Sequence, residues 1–289
     1  MVTITYIHHS CFFVNSPECR ILFDFWKDPG ARLSDIVEED KEKPLYIMVS
    51  HSHKDHYNPD IFKWAEKRDN IRFILSKDTA KRARHFFSPT STHRGPHIDP
   101  SMLTVMEEGD IYTDDFLTIR AFGSTDVGNS YLIETAGLRF FHAGDLNAWI
   151  WKDESTEKEV KEAIDLFRLK IDPIKHLLSK EGEEEAIDVA MFPVDSRIGT
   201  EYWTGAKIFL KELPVRFFLP MHFGLVDKEE QALRAMDAIR FGEYANPDYP
   251  TVFVGPLQHF GELGIPSPGS SRRKTERQPC DISSDGIEL

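Results

Sequence analysis

Short apolar segments rich in β-branched and aromatic residues alternate with helical patterns along most of the chain. The early segments are separated only by turn-like pieces such as Asn15-Ser16-Pro17, which favours hairpins and antiparallel pairing. Strands spread between helices are typical of an α/β fold with a mixed sheet. The predicted strands cover 2–7, 11–14, 20–24, 45–50, 71–75, 117–121, 130–134, 138–142, 187–192, 215–219 and 251–253.

Helical periodicity and capping residues predict helices between these strands. Asn58 is the expected N-cap of the first helix, with Pro59 at its first helical position. The predicted helices cover 59–67, 77–86, 156–179, 203–212 and 227–240. Near Pro266 the composition changes to Pro, Ser, Gly and charge without apolar periodicity. We therefore expect a folded domain over 1–265 and a flexible tail over 266–289.

The most informative segment carries His51, His53, Asp55 and His56 directly after an apolar strand. On extended backbone, residues two apart point to the same side, so His51 and His53 can reach one metal ion. The following turn can bring Asp55 and His56 to a second one. Imidazole and carboxylate suit zinc, and they also suit iron or manganese. The alternative is a chance cluster of polar loop residues, which this density of ligand-type side chains disfavours.

The pattern HxHxDH after a hydrophobic strand resembles the signature of the metallo-β-lactamase superfamily. The resemblance implies an α/β (α+β) fold, a four-layer αββα sandwich of two similar halves. It also implies two divalent metal ions at the edge of the sandwich, with zinc expected and manganese or iron as alternatives. Asp145, at the end of 138–145, takes the position of the aspartate that bridges the metals, and His222, at the end of 217–222, that of the last ligand.

One expected ligand does not appear at its usual place. The family has a histidine shortly before the strand that precedes the bridging aspartate, whereas this chain has Ser124-Thr125-Asp126. This stretch resembles a branch of the superfamily related to the ascorbate-phosphate lactonases. Asp126 is then either a metal ligand or an outer partner or turn residue. Because the first metal loses an imidazole, we expect the second metal to bind more reliably.

Residues outside the ligand set have expected roles as well. Ligating histidines and carboxylates need outer partners to orient them, and His142, His9 and Asp24 fit that role by position. For His9 and Asp24 a purely structural role is the alternative. Trp149 and Trp151 follow the bridging aspartate and are expected at the pocket mouth, where they either stack on a substrate ring or pack against a neighbouring helix.

The predicted chemistry is hydrolysis. A metal pair lowers the pKa of a bound water to about 7, which makes a hydroxide nucleophile available at neutral pH. Asp55 is the expected catalytic residue, because it can orient that nucleophile and pass a proton to the leaving group. No P-loop or Ser-His-Asp pattern competes. We expect a small ester, lactone or phosphoester as substrate. The alternatives are a non-catalytic or sensing metal-binding protein of the same fold and a nuclease of the superfamily.

Charge and composition limit the classes of binding partner that are expected. The 289 residues carry a net charge of −13, which repels phosphate backbones, so nucleic acid is not the expected partner. A basic cluster between Lys77 and Arg94 is either a solvated helix face or a surface for a small anion. The start of the chain reads as a strand, not as an export signal, and no apolar run approaches a membrane span. With three cysteines, a cytoplasmic protein is expected. The sequence makes no prediction about the oligomeric state.

Overall fold

Two β-sheets form the centre of the molecule, and the chain builds them one after the other. The computed structural model describes residues 1–180, 186–223, 251–254 and 261–266. The predicted helix over 227–240 lies outside the described residues, as does the predicted tail over 266–289 except for Pro266. Each predicted strand lies in one of the two sheets, with its ends shifted by no more than a few residues.

The first sheet has seven strands in the order β14-β1-β2-β3-β4-β5-β6. From β14 to β3 neighbouring strands run antiparallel, and from β3 to β6 they run parallel. The Ser16 hydroxyl accepts the backbone N–H of Cys19 and so closes the turn between β2 and β3. The strands are β1 (Val2–His8), β2 (Cys11–Asn15), β3 (Arg20–Phe23), β4 (Leu45–Val49), β5 (Ile71–Ser76), β6 (Leu103–Met106) and β14 (Glu262–Ile265).

The second sheet repeats this plan with the order β13-β12-β11-β10-β9-β8-β7. Here β7 to β10 are antiparallel and β10 to β13 are parallel. The strands are β7 (Ile111–Thr113), β8 (Thr118–Gly123), β9 (Asn129–Thr135), β10 (Leu138–His142), β11 (Ile187–Pro193), β12 (Val215–Met221) and β13 (Val252–Phe253).

The helices within the described residues differ from the predicted set at four places. The segment predicted as a helix over 59–67 is a 3-10 helix, Pro59–Glu66, with Asn58 capping it through the N–H of Asp60. A short helix near residue 35 was not predicted. The α-helices are α1 (Leu33–Glu38), α2 (Lys77–Phe87), α3 (Glu157–Lys180) and α4 (Thr204–Glu212), and two further 3-10 helices cover Pro100–Met102 and Ser196–Ile198. Among the helices within the described residues, none combines the length and apolarity that crossing a bilayer requires.

The alternation of side chains along the strands separates two hydrophobic cores. In the first sheet Ile4 and Ile74 point into the core between the sheets, whereas Phe73 points to the opposite face and packs with Phe62 and Ala83. In the second sheet the outer face packs against α3 and α4, whose buried residues include Phe167 and Phe209. The result is a four-layer αββα sandwich, as the sequence predicted.

Candidate metal centre

The carboxyl ends of β4, β10 and β12 meet at one edge of the sandwich together with the turn between β1 and β2. The backbone N–H of His222, just after β12, donates to the carbonyl of His9 in that turn at 3.1 Å. The N–H of Asp24, just after β3, donates to Met48 of β4 at 2.9 Å. Strand ends from both sheets therefore present their side chains to the same space.

A first group of metal-type side chains gathers around His51. One ligand atom each from His51, His53, Asp126 and Asp145 lies within 4.8 Å of the others. Nδ1 of His53 is 3.5 Å from Oδ2 of Asp126, and Nε2 of His51 is 3.3 Å from Oδ2 of Asp145. His53 and Asp126 are 50% and 39% exposed, whereas His51 is completely buried. Asp126 thus lies where it can act as a ligand, beside the two histidines of the first site.

A second group lies against the first. It consists of His9, Asp55, His56 and His222, again with one ligand atom each within 4.8 Å of the others. Oδ1 of Asp145 is 3.0 Å from Nε2 of His56 and 3.1 Å from Nε2 of His222. Asp145 therefore directs one carboxylate oxygen to each group. His9, expected as an outer partner, lies within the second group itself.

The atoms at the centre of these groups fit a pair of divalent cations. Nε2 of His51, His56 and His222 and Oδ1 of Asp145 are buried, and despite their short mutual distances none makes a well-directed hydrogen bond within the described part of the chain. A buried polar atom without a partner destabilises a fold by about 1–3 kcal/mol, so four converging ones indicate a site for a cation. Imidazole nitrogen and carboxylate oxygen are the donors that zinc, manganese and iron accept.

Comparison with known proteins agrees with this geometry. A family model described as the β-lactamase superfamily domain matches residues 3–169, more than half of the chain. The chain belongs to this superfamily. A search of curated proteins finds no match.

Solved structures share the superfamily fold at low sequence identity. Igni18, a metallo hydrolase from Ignicoccus hospitalis, is 18% identical with a TM-score of 0.54 over 92% of this chain and 99% of its own. YhfI from Bacillus subtilis, a metallo-β-lactamase fold protein, is 11% identical with a TM-score of 0.56 over 91% and 99%. CmlA from Streptomyces venezuelae, a diiron β-hydroxylase, is 13% identical with a TM-score of 0.53 over 91% of this chain and 54% of its own. At these identities the likeness shows the superfamily fold alone.

Asp24 orients two histidines of this superfamily site. Its Oδ2 is 2.7 Å from Nδ1 of His56 and accepts the Ser50 hydroxyl at 2.6 Å, while its Oδ1 accepts the N–H of Ser50 at 2.7 Å. Because the Ser50 hydroxyl donates to Asp24, its oxygen is left to accept Nδ1–H of His51 at 3.0 Å. Both imidazoles then carry their proton on Nδ1 and turn Nε2 toward the metal position.

Asp195 orients the imidazole of His222 in the same way, and the sequence did not predict this role. Its Oδ2 is 2.9 Å from Nδ1 of His222, and its carboxylate is also paired with the guanidinium of Arg197. Asp195 is only 2% exposed. The available signal was position, because Pro193-Val194-Asp195 places a carboxylate just after a buried strand, as at Asp145.

His142 contacts the surroundings of the metal groups, and its Nδ1 is 3.9 Å from Oδ2 of Asp24. Its Nε2 is 2.8 Å from the carbonyl of Ser10, and its Nδ1 accepts the N–H of Gly144 at 3.2 Å. Each of these neighbours flanks a residue of the metal groups, His9 or Asp145. His142 therefore ties the β1–β2 turn to the loop of Asp145.

The two tryptophans differ in position. Trp149 donates its indole N–H to the carbonyl of Asp145 at 2.7 Å, and its ring centre is 5.4 Å from that of His222. Trp149 is half-buried and forms a wall of the second group. Trp151 is 46% exposed, and its carbonyl accepts the N–H groups of Glu154 and Ser155. Of the two, only Trp149 is placed beside the metal groups by these contacts.

Charges within the site shift the pKa values of its residues. Burial disfavours the charged form of His56, but carboxylates led by Asp145 outweigh it and raise the pKa of His56 well above its ordinary value. Burial likewise disfavours the charged form of His222, but Asp145 and Asp195 outweigh it and raise the pKa of His222 to about 9. Burial, with the charge of His222 adding to it, lowers the pKa of His9 to about 3. Protons on His56 and His222 occupy the place of metal, so metal binding must displace them.

Helix α2 holds the segment around His51 in place. Oδ2 of Asp78 accepts the N–H of Ser52 at 2.7 Å, and Nη1 of Arg82 donates to the carbonyl of Ser52 at 3.0 Å. Lys77 pairs with Glu107 at 2.9 Å. Two members of the basic cluster between Lys77 and Arg94 therefore have structural contacts.

Proposed function

We propose that this chain is a metal-dependent hydrolase that uses two divalent metal ions on a small ester, lactone or phosphoester. The observation that carries the proposal is the position of Asp145, whose two oxygens face two separate groups of histidines at 3.0–3.3 Å. When bound, two cations at these positions would activate a water molecule for attack and polarise the oxygen of the scissile bond.

The residues of the chain supply the remaining requirements of hydrolysis. Asp55 is 25% exposed, and its Oδ2 is 3.3 Å from Nε2 of His9 and 3.9 Å from Nε2 of His222. Neighbouring histidines outweigh burial and lower its pKa, so Asp55 is ionised at neutral pH. A carboxylate in this position can accept a hydrogen bond from the attacking water and orient it. Asp24 and Asp195 keep the imidazoles aligned.

The surroundings of the site support a small substrate. Trp149 offers a half-buried ring beside His222, which suits a compact organic group. The net charge of −13 disfavours a polynucleotide, which argues against the nuclease alternative. Zinc is the expected metal in the imidazole-rich second group. The first group has two carboxylates and two imidazoles and also suits manganese or iron.

The proposal is tested with protein loaded with zinc or manganese and a panel of lactones, aryl esters and phosphodiesters. We expect metal-dependent hydrolysis of a member of this panel and its loss in Asp145→Asn. Asp153→Asn is the matched control, because this carboxylate binds the backbone of Thr200 instead of a histidine. A chain that holds two metals and hydrolyses nothing in the panel would refute the proposal and favour a sensing protein, and activity confined to RNA would favour a nuclease.

A second candidate is oxidative chemistry on two iron ions. CmlA, with the same fold, is described as a diiron β-hydroxylase. The carboxylates of Asp126 and Asp145 in the first group make that position suitable for iron. Protein purified without added metal separates the candidates, because the oxidative candidate requires iron to predominate over zinc.

A further inference from the structure

The turn between β1 and β2 places a histidine where glycine is favoured. His9 and Ser10 form a two-residue connection closed by the pair His8 and Cys11. His9 has a φ of 59°, in the left-handed region. Two-residue hairpins with a positive φ at the first position select glycine, because a side chain there meets the backbone. The histidine at this position is therefore unfavourable for the turn itself, which points to a role for its side chain.

The backbone of His9 is fixed from both sides. Its N–H donates to the hydroxyl of Tyr6 at 2.7 Å, and its carbonyl accepts the N–H of His222 at 3.1 Å. His222 is itself left-handed, with a φ of 71°. The two histidines are thus joined backbone to backbone, one from each sheet, and their imidazole centres are 4.2 Å apart.

The imidazole of His9 is completely buried and lies among metal-type side chains. Its Nε2 is 3.3 Å from Oδ2 of Asp55. A ligand atom of His9 also lies within 4.8 Å of ligand atoms of both His56 and His222. This spacing is what a single cation with several ligands requires.

We propose that His9 is a ligand of the second metal ion. That position then has three imidazoles, from His9, His56 and His222, and two carboxylates, from Asp55 and Asp145. The inference rests on the metal centre of the proposed function but not on its substrate. The first position, with two imidazoles and two carboxylates, becomes the one more suited to manganese, and the second the one more suited to zinc or cobalt.

The competing role for His9 is that of an outer partner that orients Asp55 through the 3.3 Å contact. In that role its removal weakens metal binding, typically by about 10–100-fold, but leaves the number of metal-bound imidazoles unchanged. Counting imidazoles on the metal therefore distinguishes the two roles.

The experiment uses cobalt bound to the full chain. His9→Asn and His9→Gly both remove the imidazole and both tolerate a left-handed backbone. His8→Asn is the matched control, because His8 is the preceding residue, is buried and packs on Trp26 instead of belonging to either metal group of the described residues. X-ray absorption spectroscopy counts imidazoles, and titration against a chromophoric chelator gives the dissociation constants.

We expect both His9 variants to lose one imidazole from the tighter cobalt ion and to bind it more weakly by more than about 100-fold. We expect His8→Asn to match the wild type in both measurements. An unchanged imidazole count in His9→Asn and His9→Gly overturns the proposal, whatever the change in affinity. Thermal unfolding of the metal-free variants checks that they fold. If His9→Asn does not fold, His9→Gly decides the test, because glycine removes the backbone strain of the turn.

The result for His9 can be distinguished from the result for the proposed hydrolase function. A wild-type chain that binds two cobalt ions with the expected imidazoles but hydrolyses no substrate refutes the hydrolase and supports His9 as a ligand. A hydrolase whose imidazole count does not depend on His9 refutes the ligand assignment alone.

Discussion

Substitution of the buried carboxylate of Asp195 measures how much a residue outside the metal groups contributes to metal affinity. Its Oδ2 is 2.9 Å from Nδ1 of His222, and Nε of Arg197 donates to its two oxygens at 2.9 and 3.0 Å. Asp195→Asn keeps the shape and one acceptor oxygen but removes the negative charge. His222 then loses a charged acceptor, and the Arg197 guanidinium loses the carboxylate with which it is paired.

The size of the effect follows from these contacts. A hydrogen bond to a charged group contributes about 1.5–3 kcal/mol and a neutral one about 1 kcal/mol, so the substitution removes about 1–2 kcal/mol. That difference corresponds to about 5–30-fold in a dissociation constant. Outer partners of metal ligands typically contribute about 10–100-fold, which overlaps this range. We therefore expect the second metal to bind about tenfold more weakly in Asp195→Asn.

Competition between the protein and a chromophoric zinc chelator measures both dissociation constants at one pH. Asp153→Asn is again the control, since Oδ2 of Asp153 accepts the N–H of Thr200 at 2.8 Å in the same loop region. The reasoning is wrong if Asp195→Asn binds the second zinc as tightly as Asp153→Asn does. It is also wrong if the weakened zinc is the one bound by His51 and His53.

Two further predictions concern folding and are checked by urea unfolding. Gly128→Ala adds a Cβ 2.1 Å from a backbone carbonyl at a φ of +77°, whereas Gly109→Ala meets nothing within 4 Å at a φ of +95°. We expect about 1–2 kcal/mol of lost stability from the backbone alone at Gly109 and about 3 kcal/mol or more at Gly128, and equal losses would contradict the clash. Burial raises the pKa of Asp114, but the hydrogen bonds that it accepts, led by the hydroxyl of Tyr46 and including that of Tyr112, outweigh burial and lower the pKa from 3.8. Because the folded state holds the ionised form, Asp114→Asn should reduce stability by about 1 kcal/mol at pH 7. That difference should shrink as pH falls below the ordinary pKa and through the lowered one, and a constant difference would contradict the assignment.

The fold was predictable because its strands are strongly apolar and its candidate metal ligands follow them directly. Strands such as β4 and β10 are buried runs, so the pattern identifies them without tertiary information. Strands β6, β7 and β14 were missed because each has only three or four residues and is partly exposed, which is too short to produce a clear period. Helix α1 was missed because it has six residues and Arg32 at its N-cap, without a side-chain cap.

The candidate site was predictable where a ligand belongs to a recognisable local pattern. The segment around His51 and the Gly-Asp at Asp145 are of this kind. The placement of His9 is not, because it depends on a hairpin turn of the first sheet meeting the end of β12, more than two hundred residues later in the chain. Asp195 lies between these cases: its strand-end position was visible, but its bond to His222 depends on how β11 and β12 are aligned.

The repeated plan of the two sheets has a consequence for how the site is assembled. Strands β3, β4 and β5 hold the same topological positions in the first sheet as β10, β11 and β12 hold in the second. The acidic or histidine residues after them correspond in pairs. Asp24 matches Asp145 after the first strand of each set, the His51 segment matches Asp195 after the second, and Asp78 matches His222 after the third. Within each pair one partner belongs to a candidate metal group and the other supports a segment that carries such a group. Equivalent strand ends of the two similar halves therefore have complementary roles. One contributes a candidate metal ligand, and its counterpart positions a segment that carries such a ligand.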